Sequence, residues 1–124
     1  MIIVNFLRDW LLTVLIEGAV LWFALEPGYP PRLKLRAAWW LSTCTLPLVH
    51  FVFPLAADFG VPRWIWLSTA EIVAPLAECL LFRALVRHDT RGAMRATLRD
   101  MVAIVLANLA SLGIGVWLAA TGVR

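Results

Sequence analysis

Apolar residues fill four long stretches of this chain, and short segments that are polar or contain proline and glycine separate them. The stretches cover residues 9–25, 38–57, 65–86 and 101–120. An α-helix needs about 20 apolar residues, within a range of about 17–25, to cross the hydrocarbon core of a bilayer. The pattern therefore predicts an all-α polytopic membrane protein, in which residues 1–124 form one membrane-embedded domain, a bundle of four transmembrane helices.

The composition agrees with lipid as the solvent of these helices. Of the 124 residues, 62% are hydrophobic and 15% are charged, whereas a soluble domain is about 45–50% apolar and about 25% charged. The net charge of +3 comes from basic residues in loops beside the helices, so we predict the lipid bilayer, and no nucleic acid, as a partner. We recognise no nucleotide, haem or flavin motif and predict neither a cofactor nor a metal.

Basic residues are unequally divided between the two sides of the predicted bundle. The side with Arg8, Arg63 and Arg124 is the poorer one. The first and third loops, with their flanks, contain Arg32, Lys34, Arg36, Arg87, Arg91, Arg95 and Arg99. Because lysine and arginine are enriched in cytoplasmic loops, we expect both loops in the cytoplasm and both termini on the non-cytoplasmic side of a bacterial-type inner membrane or a plasma membrane.

The third loop contains a regular series of arginines. Arg87, Arg91, Arg95 and Arg99 recur every four residues, which on a helix would form one basic stripe. Such a helix would lie against anionic lipid headgroups. An ordinary cytoplasmic flank explains the same residues equally well. In both interpretations these arginines face the headgroups.

Polar residues within the apolar stretches are the candidate functional residues. An ionisable side chain at membrane depth costs about 2.5–3.5 kcal/mol on insertion, so it usually faces a bundle interior or a wet cavity. From the rise of about 1.5 Å per residue, we expect Glu17, His50 and Glu71 in an outer layer and Glu78 with Asn108 in a deeper one. The polar cluster predicted in this way comprises Glu17, His50, Glu71, Glu78, Asn108 and Ser111.

Two of the predicted helices combine prolines and polar groups on one face. In the third helix, Glu71, Pro75 and Glu78 occupy positions i, i+4 and i+7. In the second helix, the corresponding face contains Thr43, Pro47, His50 and Pro54. A proline inside a membrane helix frees a backbone carbonyl that a neighbour or water must satisfy. We therefore expect both helices to bend around a polar interior.

The fourth helix has a stripe of small residues. Ala103, Ala107, Ser111, Gly115 and Ala119 repeat every four positions. Small side chains at this spacing let helix backbones approach closely. We predict that this stripe packs against another helix, with Asn108 beside it as a hydrogen-bonding group.

These features support three functional hypotheses. In the first, the protein is a subunit of a larger membrane complex or assembles with itself through intramembrane polar contacts. In the second, buried carboxylates bind protons or cations in a small transporter. The layout resembles that of the small multidrug resistance transporters, which have four helices, similar length and a functional glutamate in the first helix, where this chain has Glu17. Residues 14–20 do not reproduce the signature of that family.

The third hypothesis is an intramembrane enzyme. The run from Glu78 to Arg83 is similar to the paired-glutamate and arginine motif of CAAX-type membrane proteases. Cys79 stands in place of the second glutamate, and the fourth helix contains no histidine. We predict no catalytic residues from this resemblance.

Overall fold

The protein is all α-helical in the computed structural model, which describes residues 2–122. Arg124, which the sequence assigns to the non-cytoplasmic side, lies outside the described residues. Four helices follow one another along the chain: α1 (Ile2–Ala24), α2 (Pro31–Pro47), α3 (Arg63–Asp89) and α4 (Leu98–Ala120). The predicted all-α fold with four helices is therefore confirmed.

Three helical segments are long and apolar enough to cross a membrane. They are Pro31–Phe59, Arg63–Asp89 and Leu98–Ala120, and they support the predicted membrane location. The first of them continues α2 through a π-helical turn (Leu48–Val52) and a 3-10 segment (Phe53–Phe59). The helix α1 has 23 residues but contains three charged ones, so its membrane span, like the sidedness of the loops, stays a prediction.

Two helices begin earlier than their apolar stretches. The helices extend seven residues beyond the predicted stretches that start at residues 9 and 38, since α1 already includes Ile2 and α2 begins at Pro31. Hydropathy marks only the part of a helix that suits hydrocarbon, whereas backbone hydrogen bonding continues beyond it. Pro31 suits the first helical position, where a missing N–H costs no hydrogen bond.

The helices form a ring in which consecutive helices are neighbours. The helix α1 packs against α2 and α4, α2 packs against α3, and the α3–α4 contact is the smallest of these. At the turn after the 3-10 segment, Gly60 has a left-handed φ of 80°, and the N–H of Val61 donates to the carbonyl of Ala56 (3.1 Å). This turn reverses the chain directly into α3.

The hydrophobic core occupies the half of the bundle near the connections 25–30 and 90–97. Its buried side chains include Leu25, Leu33, Phe82 and Ile104. The backbones of α1 and α2 approach closely here, since a Cβ atom on Gly18 would lie 3.1 Å from the Cβ of Ala38. Apolar packing therefore closes this half of the bundle.

A buried carboxylate joins the two connections at this closed end. Asp100 accepts hydrogen bonds from the N–H of Glu26 (3.0 Å), the N–H of Thr97 (2.8 Å) and the hydroxyl of Tyr29 (2.5 Å). Thr97 and Asp100 also form the capping box that begins α4. Burial, the hydrogen bond to Asp100 and the negative charges of Asp100 and Glu26 raise the pKa of Tyr29 above its ordinary value.

The third connection is not a helix, so the interpretation of its arginines as one helical stripe was wrong. The helix α3 ends at Asp89, and the N–H of Gly92 donates to the carbonyl of Arg87 (2.9 Å). Arg91 and Gly92 both have left-handed φ values, 51° and 79°. Glycine favours this conformation, which terminates helices, and the helical phase is lost between Arg87 and Arg95.

Candidate functional site

A cavity of about 510 Å³, lined by apolar side chains and by a set of polar ones, occupies the half of the bundle opposite the hydrophobic core and is called the polar cavity below. All four helices and the π-helical turn contribute to its wall. The six polar residues of the predicted cluster all line it, and they are joined by Asp9, Thr13, Thr45 and Arg63. The cavity therefore collects polar side chains that are far apart in the sequence.

Glu78 is the best satisfied acid in the cavity wall. It is 2% exposed, and its Oε2 accepts a hydrogen bond from Nδ2 of Asn108 (2.5 Å). The same amide nitrogen donates to the carbonyl of Ile104 (2.9 Å), which fixes the orientation of the Asn108 side chain because a carbonyl only accepts. The Thr45 hydroxyl lies 2.8 Å from Oε1 of Glu78 and 3.0 Å from the carbonyl of Leu41.

The position of Thr45 lets Glu78 exist in two protonation states. When Glu78 is ionised, Thr45 donates to it. When Glu78 carries a proton on Oε1, it can donate to Thr45, whose own proton then turns to the carbonyl of Leu41, because a hydroxyl is one donor and also an acceptor. Both states are hydrogen-bonded without a change of backbone.

Glu17 lies in the deeper layer, so its predicted place in the outer layer was wrong. It is 3% exposed and accepts a hydrogen bond from the Ser42 hydroxyl (2.8 Å). Ser42 is three residues, or about 4.5 Å, along α2 from Thr45, which contacts Glu78. The error follows from the start of α1, since a helix that begins at Ile2 places Glu17 further from its outer end.

Asp9 takes the outer position that sequence analysis gave to Glu17. Its Oδ2 lies 3.2 Å from Nε2 of His50, and its Oδ1 lies 3.6 Å from Nε of Arg8. The other ring nitrogen of His50 lies 3.3 Å from the carbonyl of Leu46. A neutral imidazole has a single N–H, so both contacts of His50 are hydrogen bonds when the ring is protonated or when Asp9 carries the proton and donates it to Nε2.

Two further charged groups lie in the cavity wall. Glu71 is half-buried and lies seven residues, or about two helical turns, before Glu78 on α3. Arg63 lies at the start of the same helix. Pro75 has no N–H, so it cannot donate the usual helical hydrogen bond to the carbonyl of Glu71. The wall of α3 thus offers both a carboxylate and a backbone acceptor.

The small-residue stripe of α4 faces the inside of the bundle. Ala103 and Ala107 are buried in the hydrophobic core, where α4 packs against α1. Ser111, Gly115 and Ala119 continue the stripe along the cavity. Small side chains at these three positions leave the space that the cavity occupies.

Several residues of this site were missed by sequence analysis. Sequence analysis gave Asp9 no role, although it is on the face of Glu17, eight residues earlier on α1. Ser42 and Thr45 were overlooked in favour of Thr43, which instead contacts Nε1 of Trp10 (2.8 Å). A search for every polar residue spaced by three or four positions within an apolar stretch would have found all three.

The carboxylates do not converge on one point. Within residues 2–122, no three side chains of His, Cys, Asp or Glu come close enough together to hold a metal ion. Instead, the four acids are spread over the cavity wall: Asp9, Glu17, Glu71 and Glu78. The basic groups of the wall are Arg63 and His50. This arrangement suits separate protons or an extended organic cation better than a bare metal ion.

Comparison with known proteins adds no relative. No family model, no curated protein and no solved structure matches this chain. The functional argument therefore depends on the cavity itself.

Proposed function

We propose that this protein binds protons or an organic cation at the carboxylates of the polar cavity and couples that binding to transport across a membrane. The observation that carries the proposal is the collection of four acidic side chains in one cavity between four helices, three of which belong to segments long and apolar enough to cross a membrane. The acids come from two helices: Asp9 and Glu17 from α1, Glu71 and Glu78 from α3.

The electrostatic cost of this arrangement supports a bound positive charge. An ionisable group at membrane depth is expensive and usually functional. If all four acids were ionised, Arg63, a protonated His50 and Arg8, which lies beside Asp9, would balance three of them. Protons or a cation in the cavity would neutralise the remainder, so the empty and the loaded cavity differ in charge.

The hydrogen bonds around Glu78 support exchange rather than permanent occupancy. Thr45 can donate to the ionised acid or accept from the protonated one, and Asn108 donates in both cases. A group that is satisfied in two protonation states can change between them without unfolding its surroundings. This property is expected of a site that loads and releases protons.

Transport in proteoliposomes tests the proposal. With tetraphenylphosphonium as the probe cation, we expect uptake driven by a pH gradient in the unmodified protein and its loss in Glu17→Gln. The matched control is Asp58→Asn, which removes an exposed acid outside the cavity and should retain uptake. Undiminished proton-coupled flux in a folded Glu17→Gln variant would contradict the proposal.

A second candidate is a subunit of a larger membrane complex or of a homo-oligomer. It is favoured by the small contact between α3 and α4, because a helix from another chain could cover the cavity there. Stable association with a second copy or another membrane protein in mild detergent would support it. A monomer that carries out uptake alone would exclude it.

A further inference from the structure

A second cavity, of about 780 Å³, lies at the closed end of the bundle between the end of α3 and the following connection. Its ionisable lining residues are all basic: Arg83, Arg87, His88 and Arg95. Leu80 and Ala84, on the same helix, also line it. The cavity shares no lining residue with the carboxylate-lined one.

The fold brings these basic groups together from two segments. Arg83 and Arg87 are one turn apart on α3. The left-handed backbone at Gly92 reverses the chain and returns Arg95 towards the helix. The position of Arg95 is fixed by its own carbonyl, which accepts a hydrogen bond from Tyr29 (3.2 Å). The path of the backbone thus places Arg83 and Arg87 on one side of the cavity and Arg95 on the other.

Neighbouring basic residues are used in contacts within the protein. Arg36 pairs with Asp89 (3.0 Å), Nε of Arg99 donates to the carbonyl of Ala24 (3.1 Å), and Lys34 donates to the carbonyl of Trp22 (3.0 Å). Asp89, two residues after Arg87, is thus paired with Arg36 and is not among the residues that line the cavity. The side chains of Arg83, Arg87 and Arg95 remain exposed.

We propose that this cavity binds the phosphate group of an anionic phospholipid. A guanidinium group matches a phosphate through two parallel, charge-assisted hydrogen bonds. The headgroup would lie between Arg87 and Arg95, and the acyl chains would extend along the apolar surface of Leu80 and Ala84, towards the membrane-spanning part of α3. Basic pockets beside transmembrane helices are suited to such headgroups.

Lipid titration of the full chain in neutral detergent, followed by native mass spectrometry, tests this site. We expect phosphatidylglycerol to bind more tightly than phosphatidylcholine. The double variant R87Q/R95Q should bind phosphatidylglycerol at least about tenfold more weakly, since each basic residue contributes about 1 kcal/mol to such binding. The control R32Q/R91Q removes the same charge from the same end of the bundle and should bind within about twofold of the unmodified protein.

Three outcomes would overturn the proposal. Equal affinity for the two lipids would remove the need for an anion site. Equal weakening in both folded double variants would indicate diffuse attraction to a basic surface. Displacement of phosphatidylglycerol by inorganic phosphate at similar concentration would assign the cavity to a soluble phosphate instead of a lipid. Circular dichroism of both double variants checks that they remain helical.

Discussion

Glu78 accepts hydrogen bonds from Thr45 on α2 and from Asn108 on α4. The two side chains differ in whether they can also accept a hydrogen bond from Glu78. Asn108 only donates through its nitrogen, whereas Thr45 can donate or accept. Loss of Asn108 would therefore leave one oxygen of a buried acid without a donor. A buried acceptor without a donor destabilises the folded protein by more than a typical hydrogen bond stabilises it, because burial has also removed the water that would solvate the oxygen.

We expect Asn108→Leu to lower the free energy of unfolding in detergent by about 1–3 kcal/mol, the cost of a buried polar group without a partner. The double variant Glu78→Met/Asn108→Leu should lose clearly less free energy of unfolding than the sum of the losses in the two single variants. The double variant leaves neither side chain with an unsatisfied polar group. Thermal unfolding of the four proteins measures this coupling. Strictly additive losses would show that the two side chains do not interact.

Tyr29 should titrate at unusually high pH. The neutral phenol is favoured in the folded chain, so its stabilisation is complete below the ordinary tyrosine pKa of about 10 and is lost as the pH rises towards the higher folded pKa. Tyr29 is the single tyrosine of the chain, so tyrosinate absorbance reports on it alone. We expect that absorbance to appear at higher pH in the folded than in the denatured protein.

The control for this titration is Tyr29→Phe, which removes both the signal and the hydrogen bond to Asp100. This variant should be less stable at neutral pH by about 1.5–3 kcal/mol, as expected for a hydrogen bond to a charged group. It should also lack the part of the alkaline destabilisation that comes from this phenol. Identical titration in the folded and denatured states would contradict the geometry around Asp100.

Sequence alone could identify Glu17, Glu78 and Asn108 as interior residues, because charge and amide groups are costly in lipid wherever they occur. It could not pair them. The partner of His50 is Asp9 and the partner of Glu17 is Ser42, and both depend on the relative height of two helices. The sequence does not define the ends of a helix to the residue, so it does not define how far two helices are offset along the axis of the bundle.

The segment that follows α2 changes its helical period before the turn at Gly60. The π-helical turn holds one residue more per turn than an α-helix would, so side chains after Pro47 are rotated relative to those before it. His50 reaches the cavity from this turn, whereas Thr43 points to Trp10 outside it. The common face predicted for Thr43 and His50 assumed an unbroken α-helical period, which the sequence does not reveal.

We expect Gly60→Ala to destabilise the protein by about 1–2 kcal/mol. The left-handed φ of 80° is unfavourable for a residue with a Cβ by about that amount, although no atom would clash with the added methyl group. Gly113→Ala is the matched control, since it also adds a methyl group in open space but within α4. Thermal unfolding should show a gain of up to about 1 kcal/mol for the control. Unchanged stability of Gly60→Ala would refute the role assigned to the turn.

The bundle is asymmetric along its length, with an apolar core at one end and a polar cavity at the other. The four apolar stretches predicted a bundle but not this division. Apolar residues face both lipid and core in a membrane protein, so hydropathy does not distinguish the two. Contacts between the connections, such as Tyr29 with Asp100, depend on segments about 70 residues apart and are equally hidden.

Reaction with a water-soluble methanethiosulfonate reagent should report this asymmetry. In a background without Cys44 and Cys79, we expect Ser111→Cys to react at least about tenfold faster than Ala103→Cys, because water enters polar cavities but not packed apolar cores. The two positions lie on one face of α4, two turns apart. Equal rates in membranes would mean that the cavity is closed to water or that the core is open.

The unequal ends also determine how the bundle can move. Two connections and the Asp100 hydrogen bonds hold one end, while a single turn at Gly60 joins helices at the other. We therefore expect the helices to tilt about the closed end, where the contacts between them are most numerous. A helix such as α4, with 23 residues, is about 34 Å long, so a rotation of about 10° about the closed end moves its far end by about 6 Å. A small adjustment among packed apolar side chains is enough to change the width of the cavity entrance.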